Sequence, residues 1–412
     1  MNNTLFQQEA INKLGKLKVG ALFMEMGTGK TKVALDLIAS KIQKIDYVLW
    51  ICPFSLKNEI EEERKKWQPT INLDIVGCES IGSSDRIYLE TLENVQNSNS
   101  FIVVDESLKI KNIGAKRTRR ILHMGKFAKY KLILNGTPLS KNILDLWTQI
   151  EFLSPKILNM SYNEFKNTYC EYYLKGKLKG KVIRQCNIPN LISKIEPYIF
   201  DCDLEINTKK NYHTYLYNLN SKEEYEIYKY NLLNEYYNEF NDDLNFNAFA
   251  MKLQKFYSLH SNKQELIDSL IEKINDNVII FVRFIDSIPQ GASKITGSEN
   301  DKQRESILND FKKGKFDALY ITYGCGSYGL NLQFCRNIIF AEHTWDYAQR
   351  IQAEARIYRI GQGDEVNYYS LICDKVGLED LIFNCINKKS NLLYVVKTEI
   401  AKKGVKEWVK SI

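Results

Sequence analysis

The sequence predicts an α/β chain of two parallel-sheet lobes with a helical insertion between them. Length is the first observation: 412 residues suffice for two or three domains of roughly 150 residues each. The second is a rhythm of short β-branched and aromatic runs separated by longer amphipathic stretches, the pattern of parallel strands joined by crossover helices. The third is an interruption, because the rhythm stops near residue 153 and returns after Leu270.

The elements follow in order. In the first lobe, residues 1–153, the expected strands are Gly20–Met24, Tyr47–Cys52, Phe101–Val104 and Lys131–Asn135. Residues 154–265 read as a helical insertion that holds 14 of the 25 tyrosines, with Pro155, Pro189 and Pro197 as breaks. Those rings can pack helices together or offer stacking surfaces to bases, and packing is the simpler expectation. In the second lobe, residues 266–387, the expected strands are Val278–Val282, Leu319–Thr322, Asn337–Ala341 and Val366–Ile372. Residues 388–412 form a basic tail, which can extend a nucleic-acid track or form a solvated terminal helix.

Composition excludes several classes. Hydrophobic residues at 44% and charged residues at 26% are globular values. Apolar runs such as Val278–Val282 fall far short of the ~18 residues that span a bilayer. The opening MNNTLFQQEA lacks the basic region and apolar stretch of an export signal. The nine cysteines, odd in number and never spaced Cys-x-x-Cys, read as reduced thiols of a cytoplasmic chain rather than a disulfide framework or zinc site. His123, His213, His260 and His343 neither cluster nor show metal spacing. Heavy use of Lys, Asn, Ile and Tyr points to an AT-rich genome, phage or low-GC bacterial; a eukaryotic source would imply the nucleus.

The net charge of +7 is unevenly placed. Residues Lys109 to Lys131 hold nine Lys/Arg and no acid, and Lys388 to Ile412 hold seven Lys against Glu399 and Glu407, which leaves the rest of the chain net negative. Concentrated positive charge suits a polyanion partner, with solvated helix faces as the alternative. Lys109, Lys111, Lys116, Arg117, Arg119 and Arg120 are the candidate contacts.

The first chemical motif is Met24-Glu25-Met26-Gly27-Thr28-Gly29-Lys30-Thr31, between a buried strand and an amphipathic helix that begins near Lys32. Glycines let the backbone turn tightly and aim N–H groups at phosphate oxygens, and the helix N-terminus adds a favourable dipole. Gly27, Thr28 and Gly29 would shape that loop, Lys30 would reach the β/γ-phosphates of ATP and Thr31 would ligate Mg²⁺. Met24 stands where the strict pattern has glycine. A nucleotide site of this kind also needs a carboxylate at the end of a neighbouring strand. Phe101-Ile102-Val103-Val104-Asp105-Glu106 provides two, Asp105 for Mg²⁺ and Glu106 to orient the attacking water.

Further motifs narrow the reading. Asp105-Glu106-Ser107-Leu108-Lys109-Ile110-Lys111-Asn112, Leu134-Asn135-Gly136-Thr137-Pro138-Leu139-Ser140-Lys141-Asn142 with Leu146-Trp147, Gly326-Ser327-Tyr328-Gly329-Leu330-Asn331-Leu332-Gln333, and Gln352-Ala353-Glu354-Ala355-Arg356-Ile357-Tyr358-Arg359-Ile360-Gly361-Gln362 occur in that order. Together they resemble the signature of the Swi/Snf-like branch of superfamily-two helicase-related ATPases, from Phe6-Gln7 to about Asp364.

The resemblance implies two RecA-like lobes, with Gln7 reading adenine and Gly329 and Gln352 contacting nucleotide. Thr137 would lie on the nucleic-acid path. Arg356 and Arg359, three apart on an expected helix face, would be arginine fingers that reach the γ-phosphate when the lobes close. It also implies a monomeric ATP-driven motor on double-stranded or branched DNA that remodels forks, branches or DNA–protein complexes. A strand-separating helicase or restriction-system motor is the alternative, and a nucleotide-gated DNA-binding scaffold is a further one. Leu108 in place of His, Asp346-Tyr347 in place of Asn-Pro, and the lack of paired arginines in Tyr198–Asp203 depart from the family pattern.

Overall fold

Strands covered by helices on both faces must be apolar on both faces, so they read as unbroken hydrophobic runs rather than alternating ones. Such runs build both sheets of this protein. The computed structural model describes residues 3–136, 143–172, 182–204, 208–236, 243–326, 330, 332–359 and 361–387. The chain divides into two units, Met1–Glu205 and Ile206–Ile412.

In the first unit, β1 (Val19–Met24), β2 (Tyr47–Cys52), β3 (Asp74–Gly77), β4 (Ser100–Val104) and β5 (Tyr130–Leu134) are followed by a small antiparallel pair, β6 (Cys170–Tyr172) and β7 (Val182–Gln185). The next strand, β8 (Ile199–Cys202), returns to the main sheet, whose order is β3-β2-β4-β5-β1-β8 with every pairing parallel. β1 sits between β5 and β8, with Leu22 opposite Leu134 and Met24 opposite Cys202. Every residue of β4, and every residue of β1 after Val19, is buried.

The second unit repeats the plan. β9 (Lys210–Tyr217), β10 (Val278–Val282), β11 (Lys294–Ile295), β12 (Ala318–Thr322), β13 (Asn337–Phe340) and β14 (Val366–Cys373) form a parallel sheet of order β11-β12-β10-β13-β14-β9. β9 and β14 run side by side from Lys210↔Val366 to Tyr217↔Cys373. The eight strands expected from the sequence are all present, with ends shifted by at most one residue.

The stretch expected as a helical insertion, residues 154–265, is apportioned differently. β8 completes the sheet of the first unit and β9 the sheet of the second, so the division at residues 205/206 falls inside it. Both strands escape a hydrophobic-run criterion. β8 is a short Ile-Phe-Asp-Cys directly after the Pro197 break, and β9 is an edge strand of Lys-Asn-Tyr-His-Thr-Tyr-Leu-Tyr whose exposed face needs no apolar residues. Its tyrosines are largely packing residues: Tyr169 lies in the core of the first unit, and Tyr217, Tyr225 and Tyr257 in the core of the second.

A buried ion pair lies at the carboxyl end of the second sheet. Lys263 Nζ, on the helix Ser261–Ile274, donates to Glu342 Oε1 at 2.5 Å, and both side chains are almost fully buried. Glu342 Oε2 accepts the Arg283 and Phe284 N–H groups at 2.7 and 2.9 Å, which pins the chain as it leaves β10. Removing one partner leaves an uncompensated charge in a dry site. Lys263→Ala should therefore lower the unfolding free energy by about 3–5 kcal/mol, while Lys263→Met with Glu342→Gln, which removes both charges and keeps an acceptor for the Arg283 and Phe284 N–H groups, recovers part of that loss. Chemical denaturation of the three proteins checks it.

Candidate functional site

Ligands of parallel α/β sheets bind beyond the carboxyl ends of the strands. In the first unit that end carries the Gly-rich loop. Gly27 and Gly29 both have φ of +81°, a conformation that glycine adopts without strain. Gly29 has a second constraint, since a β-carbon there would sit 2.6 Å from Gln7 Nε2. Thr28 is fully buried and donates through Oγ1 to the Glu25 carbonyl at 2.7 Å, closing the turn. Gly29 then caps the helix Lys30–Ala39, with half-buried Thr31 in its first turn. Lys30 folds back so that Nζ donates to the Met24 and Glu25 carbonyls at 2.9 and 3.3 Å. From there, phosphate oxygens can compete for its protons.

Gln7 lies beneath this loop. Its Nε2 donates to the Thr28 carbonyl at 2.8 Å and its Oε1 accepts the Thr4 N–H at 3.1 Å, so the residue expected to read adenine also buttresses the turn. Glu25 anchors the other side through a bond from its N–H to the Cys202 carbonyl at 2.9 Å and from the Leu204 N–H to its Oε2 at 2.8 Å. The sequence offered no signal for this, because the partners lie in the stretch read as insertion. Gly136, just past β5, also packs here: a β-carbon would come within 3.1 Å of Met26 Cγ and 3.5 Å of Lys30 Nζ.

The acidic pair follows β4. The Asp105 N–H donates to the Ile51 carbonyl at 2.7 Å, and Asp105 Oδ1 accepts the Glu106 N–H at 2.9 Å. Glu106 takes the left-handed conformation, φ 50°, which turns the chain sharply at the strand end. Burial raises the Asp105 carboxyl above the usual carboxylate range, the Glu106 charge raises it further, and the Lys30 ammonium acts in the opposite sense. Two adjacent carboxylates in a dry site are relieved by a cation. The oxygen donors Asp105 and Thr31 suit Mg²⁺, a metal that takes few protein ligands and completes its shell with water and phosphate. Among the described residues no group of three or more His, Cys, Asp or Glu could hold a metal ion. Behind the pair, buried Ser107 donates to Gln149 Oε1 at 2.6 Å, and the Gln149 amide donates to the Asp145 carbonyl at 2.7 Å.

The basic stretch separates into two groups. Arg120 is turned into the fold, where Nη1 donates to the Ile81 and Ser84 carbonyls at 2.8 and 3.1 Å, Nη2 pairs with Asp85, and the guanidinium covers the Tyr88 ring. Arg117 Nε donates to the Lys109 carbonyl at 3.0 Å. Lys116 and Arg119 are exposed on the helix Lys116–Gly125, with Lys116 also 3.0 Å from Asp85. Lys109 and Lys111 are half-buried beside the acidic pair. Spacing alone could not separate these roles, because a cation that caps a neighbouring helix and one that faces solvent look alike in sequence.

In the second unit the arginine segment departs from expectation. The helix ends at Glu354, so Arg356 and Arg359 do not share a helix face; they lie in the turns that follow. The Tyr368 hydroxyl donates to the Glu354 carbonyl at 3.0 Å, the Arg356 and Ile357 N–H groups make tighter i→i−3 bonds to the Ala353 and Glu354 carbonyls while Tyr358 N–H makes one last i→i−4 bond to Glu354, and Gly361 with φ 97° turns the chain away. Arg356 is buried, with Nη1 donating to the Leu330 carbonyl at 3.2 Å, and Arg359 is half-buried. Gln352 is buried, and its Oε1 has no hydrogen-bond partner among the described residues. Gln362, for which the sequence suggested no role, donates to the carbonyls of Gln333, Cys335 and Ile357 and clamps the segment. Gly329, Thr137 and the tail 388–412 lie outside the described residues.

Comparison with known proteins agrees with the motifs. The SNF2-related domain family matches residues 7–269, and the helicase conserved C-terminal domain matches residues 262–361. The TATA-binding protein-associated factor mot1 of Aspergillus fumigatus is 23% identical over 92% of this chain and 26% of its own length. An uncharacterized ATP-dependent helicase of Mycoplasma pneumoniae is 26% identical over 94% of this chain and 41% of its own. Among solved structures, the SWI2/SNF2 ATPase core of Sulfolobus solfataricus in complex with dsDNA is 22% identical, covering all of this chain and 97% of that one at a TM-score of 0.44. This chain thus spans about a quarter of the mot1 relative and less than half of the mycoplasmal one. With the SNF2-related domain matched over well over half of its residues, the chain belongs to the SNF2-related domain family.

Proposed function

We propose that the protein is an ATP-driven motor that moves along double-stranded DNA and remodels forks, branches or DNA–protein complexes. The observation that carries the reading is the tight loop Gly27–Lys30 set beyond the same sheet edge as buried Asp105 and half-buried Glu106. In this reading ATP is the substrate, its β- and γ-phosphates bound by loop N–H groups and the Lys30 ammonium. Thr31 and Asp105 would hold Mg²⁺, which neutralises charge on those phosphates when bound. Glu106 orients the attacking water. The water's oxygen bonds to the γ-phosphorus while the bond to the β,γ-bridging oxygen breaks, giving ADP and phosphate; one water proton passes by way of Glu106 to solvent and the other stays on the phosphate. Arg356 and Arg359 supply positive charge to the transferring phosphoryl group. Family membership and the exposed cations Lys116 and Arg119 support a DNA partner.

Lys30→Ala should abolish ATP turnover, and Glu106→Gln should retain ATP binding while blocking hydrolysis. Arg359→Ala should lower the rate by about 10³, the scale of a lost arginine finger. Turnover with and without duplex DNA, beside equilibrium nucleotide binding, reads all three, and normal DNA-stimulated turnover in Arg359→Ala would remove that arginine from the site.

The two kinds of basic residue make opposite predictions. Arg119→Ala should flatten the log–log dependence of duplex affinity on salt by about 0.9, the share of one phosphate contact, and leave stability unaltered. Arg120→Ala should lower the melting temperature and leave that slope unchanged. An unaltered slope in Arg119→Ala would make its charge a solvated surface feature.

A motor that tracks an intact duplex should release the third strand of a triplex in an ATP-dependent manner and leave a tailed duplex paired. The reverse pattern would identify the strand-separating alternative.

A further inference from the structure

The last turn of the helix Tyr347–Glu354 is held by side chains of three strands of the second sheet. Glu354 is buried; its Oε1 accepts from Arg350 Nε at 2.8 Å, its Oε2 from the Tyr212 hydroxyl at 3.1 Å, and its backbone carbonyl from the Tyr368 hydroxyl at 3.0 Å. Tyr212 belongs to β9 and Tyr368 to β14, and their rings stack with centroids 5.1 Å apart. Arg350, one turn before Glu354 and also buried, lies over the Phe340 ring of β13 at 3.4 Å. Its remaining nitrogens meet Ser370 Oγ at 3.2 Å and His343 Nδ1 at 3.3 Å. Burial, and then Arg350 itself, push His343 down to about 3, so the ring is neutral and Nδ1 can accept.

Both carboxylate oxygens and all three guanidinium nitrogens therefore have partners. A buried ion pair commonly gains little over well-packed hydrophobic residues of the same volume, so stability alone does not account for this arrangement. What it provides is position. Glu354 is the residue at which the backbone leaves the helix, and the turns that follow carry Arg356 and Arg359. A shift of Glu354 along the sheet is a shift of both arginines.

We propose that Glu354, fixed by Arg350 and Tyr212, is a positioning residue for the segment Arg356–Arg359 and sets the rate of ATP hydrolysis without touching the nucleotide. The proposal rests on the arginine-finger reading above. Tyr212 is its sharpest handle, because the residue is 59% exposed and lies on an edge strand, so losing the hydroxyl alone does not disturb the core.

The test compares DNA-stimulated ATP turnover of the full chain with that of Tyr212→Phe, Glu354→Gln, Arg359→Ala and the Tyr212→Phe/Arg359→Ala double variant. Tyr212→Phe and Glu354→Gln should lower kcat by roughly 5- to 100-fold, the scale of a misplaced catalytic group. KM for ATP and the melting temperature of Tyr212→Phe should stay near wild type. In the Arg359→Ala background, Tyr212→Phe should cost clearly less than it does alone, since part of its effect runs through Arg359. Multiplicative losses in the double variant, or a raised KM with normal kcat, would overturn the proposal. Normal kcat in Tyr212→Phe and Glu354→Gln beside a crippled Arg359→Ala would overturn it alone, whereas normal turnover in Arg359→Ala would overturn the arginine reading and this inference with it.

Discussion

A parallel sheet covered on both faces leaves its polar residues no access to water except at the strand ends, and this constraint decides where chemistry can occur in each unit. The buried strands β1, β4, β10 and β13 are apolar or nearly so, and the residues that follow them are not. Glu25 and Lys30 follow β1, Asp105 and Glu106 follow β4, Arg283 follows β10, and Glu342 and His343 follow β13. The register fixes their level: with Leu22 opposite Leu134, and Val104 opposite Ile133, the chain must release the Gly-rich loop and the acidic pair along one edge.

At that edge the backbone rather than the side chains sets the shape. Gly29 is glycine both because its φ is positive and because Gln7 fills the space a β-carbon would take. Gln7 is itself held by the Thr4 N–H, so the first helix, the loop and the helix after it form one unit. Lys30 rests on two backbone carbonyls, and Asp105 and Glu106 leave β4 at the same edge, so groups of both signs stand there together. Such a site favours a ligand that brings both signs of charge, as a metal-bound polyphosphate does.

How much of this was legible in the sequence depended on how local its cause was. The eight buried strands were, because their apolar runs follow directly from burial on both faces, and the Gly-rich loop and acidic pair were, because a turn and a strand end are short-range features. β8 and β9 were not: one is four residues long after a proline, and the other is an edge strand with polar and aromatic residues on an open face. The end of the helix at Glu354 was not legible either, since its cause includes a hydroxyl from Tyr368, fourteen residues downstream. Nor could nine closely spaced cations reveal that Arg120 caps the turn at Ile81–Ser84 while Arg119, its neighbour, faces solvent.

In each of two buried ion pairs of the second unit, the carboxylate's second oxygen accepts from another group. Lys263 neutralises Glu342 so that its second oxygen can accept the Arg283 and Phe284 N–H groups, and Arg350 neutralises Glu354 so that its second oxygen can accept the Tyr212 hydroxyl. In each case the cation lets a buried carboxylate act as a rigid acceptor, and the acceptor fixes a segment that leaves the sheet. A hydrophobic replacement could match the stability but could not direct a backbone N–H or a hydroxyl to one position. At these two places buried charge coincides with a segment whose direction matters, and the segment after Glu354 is the one that carries the arginines.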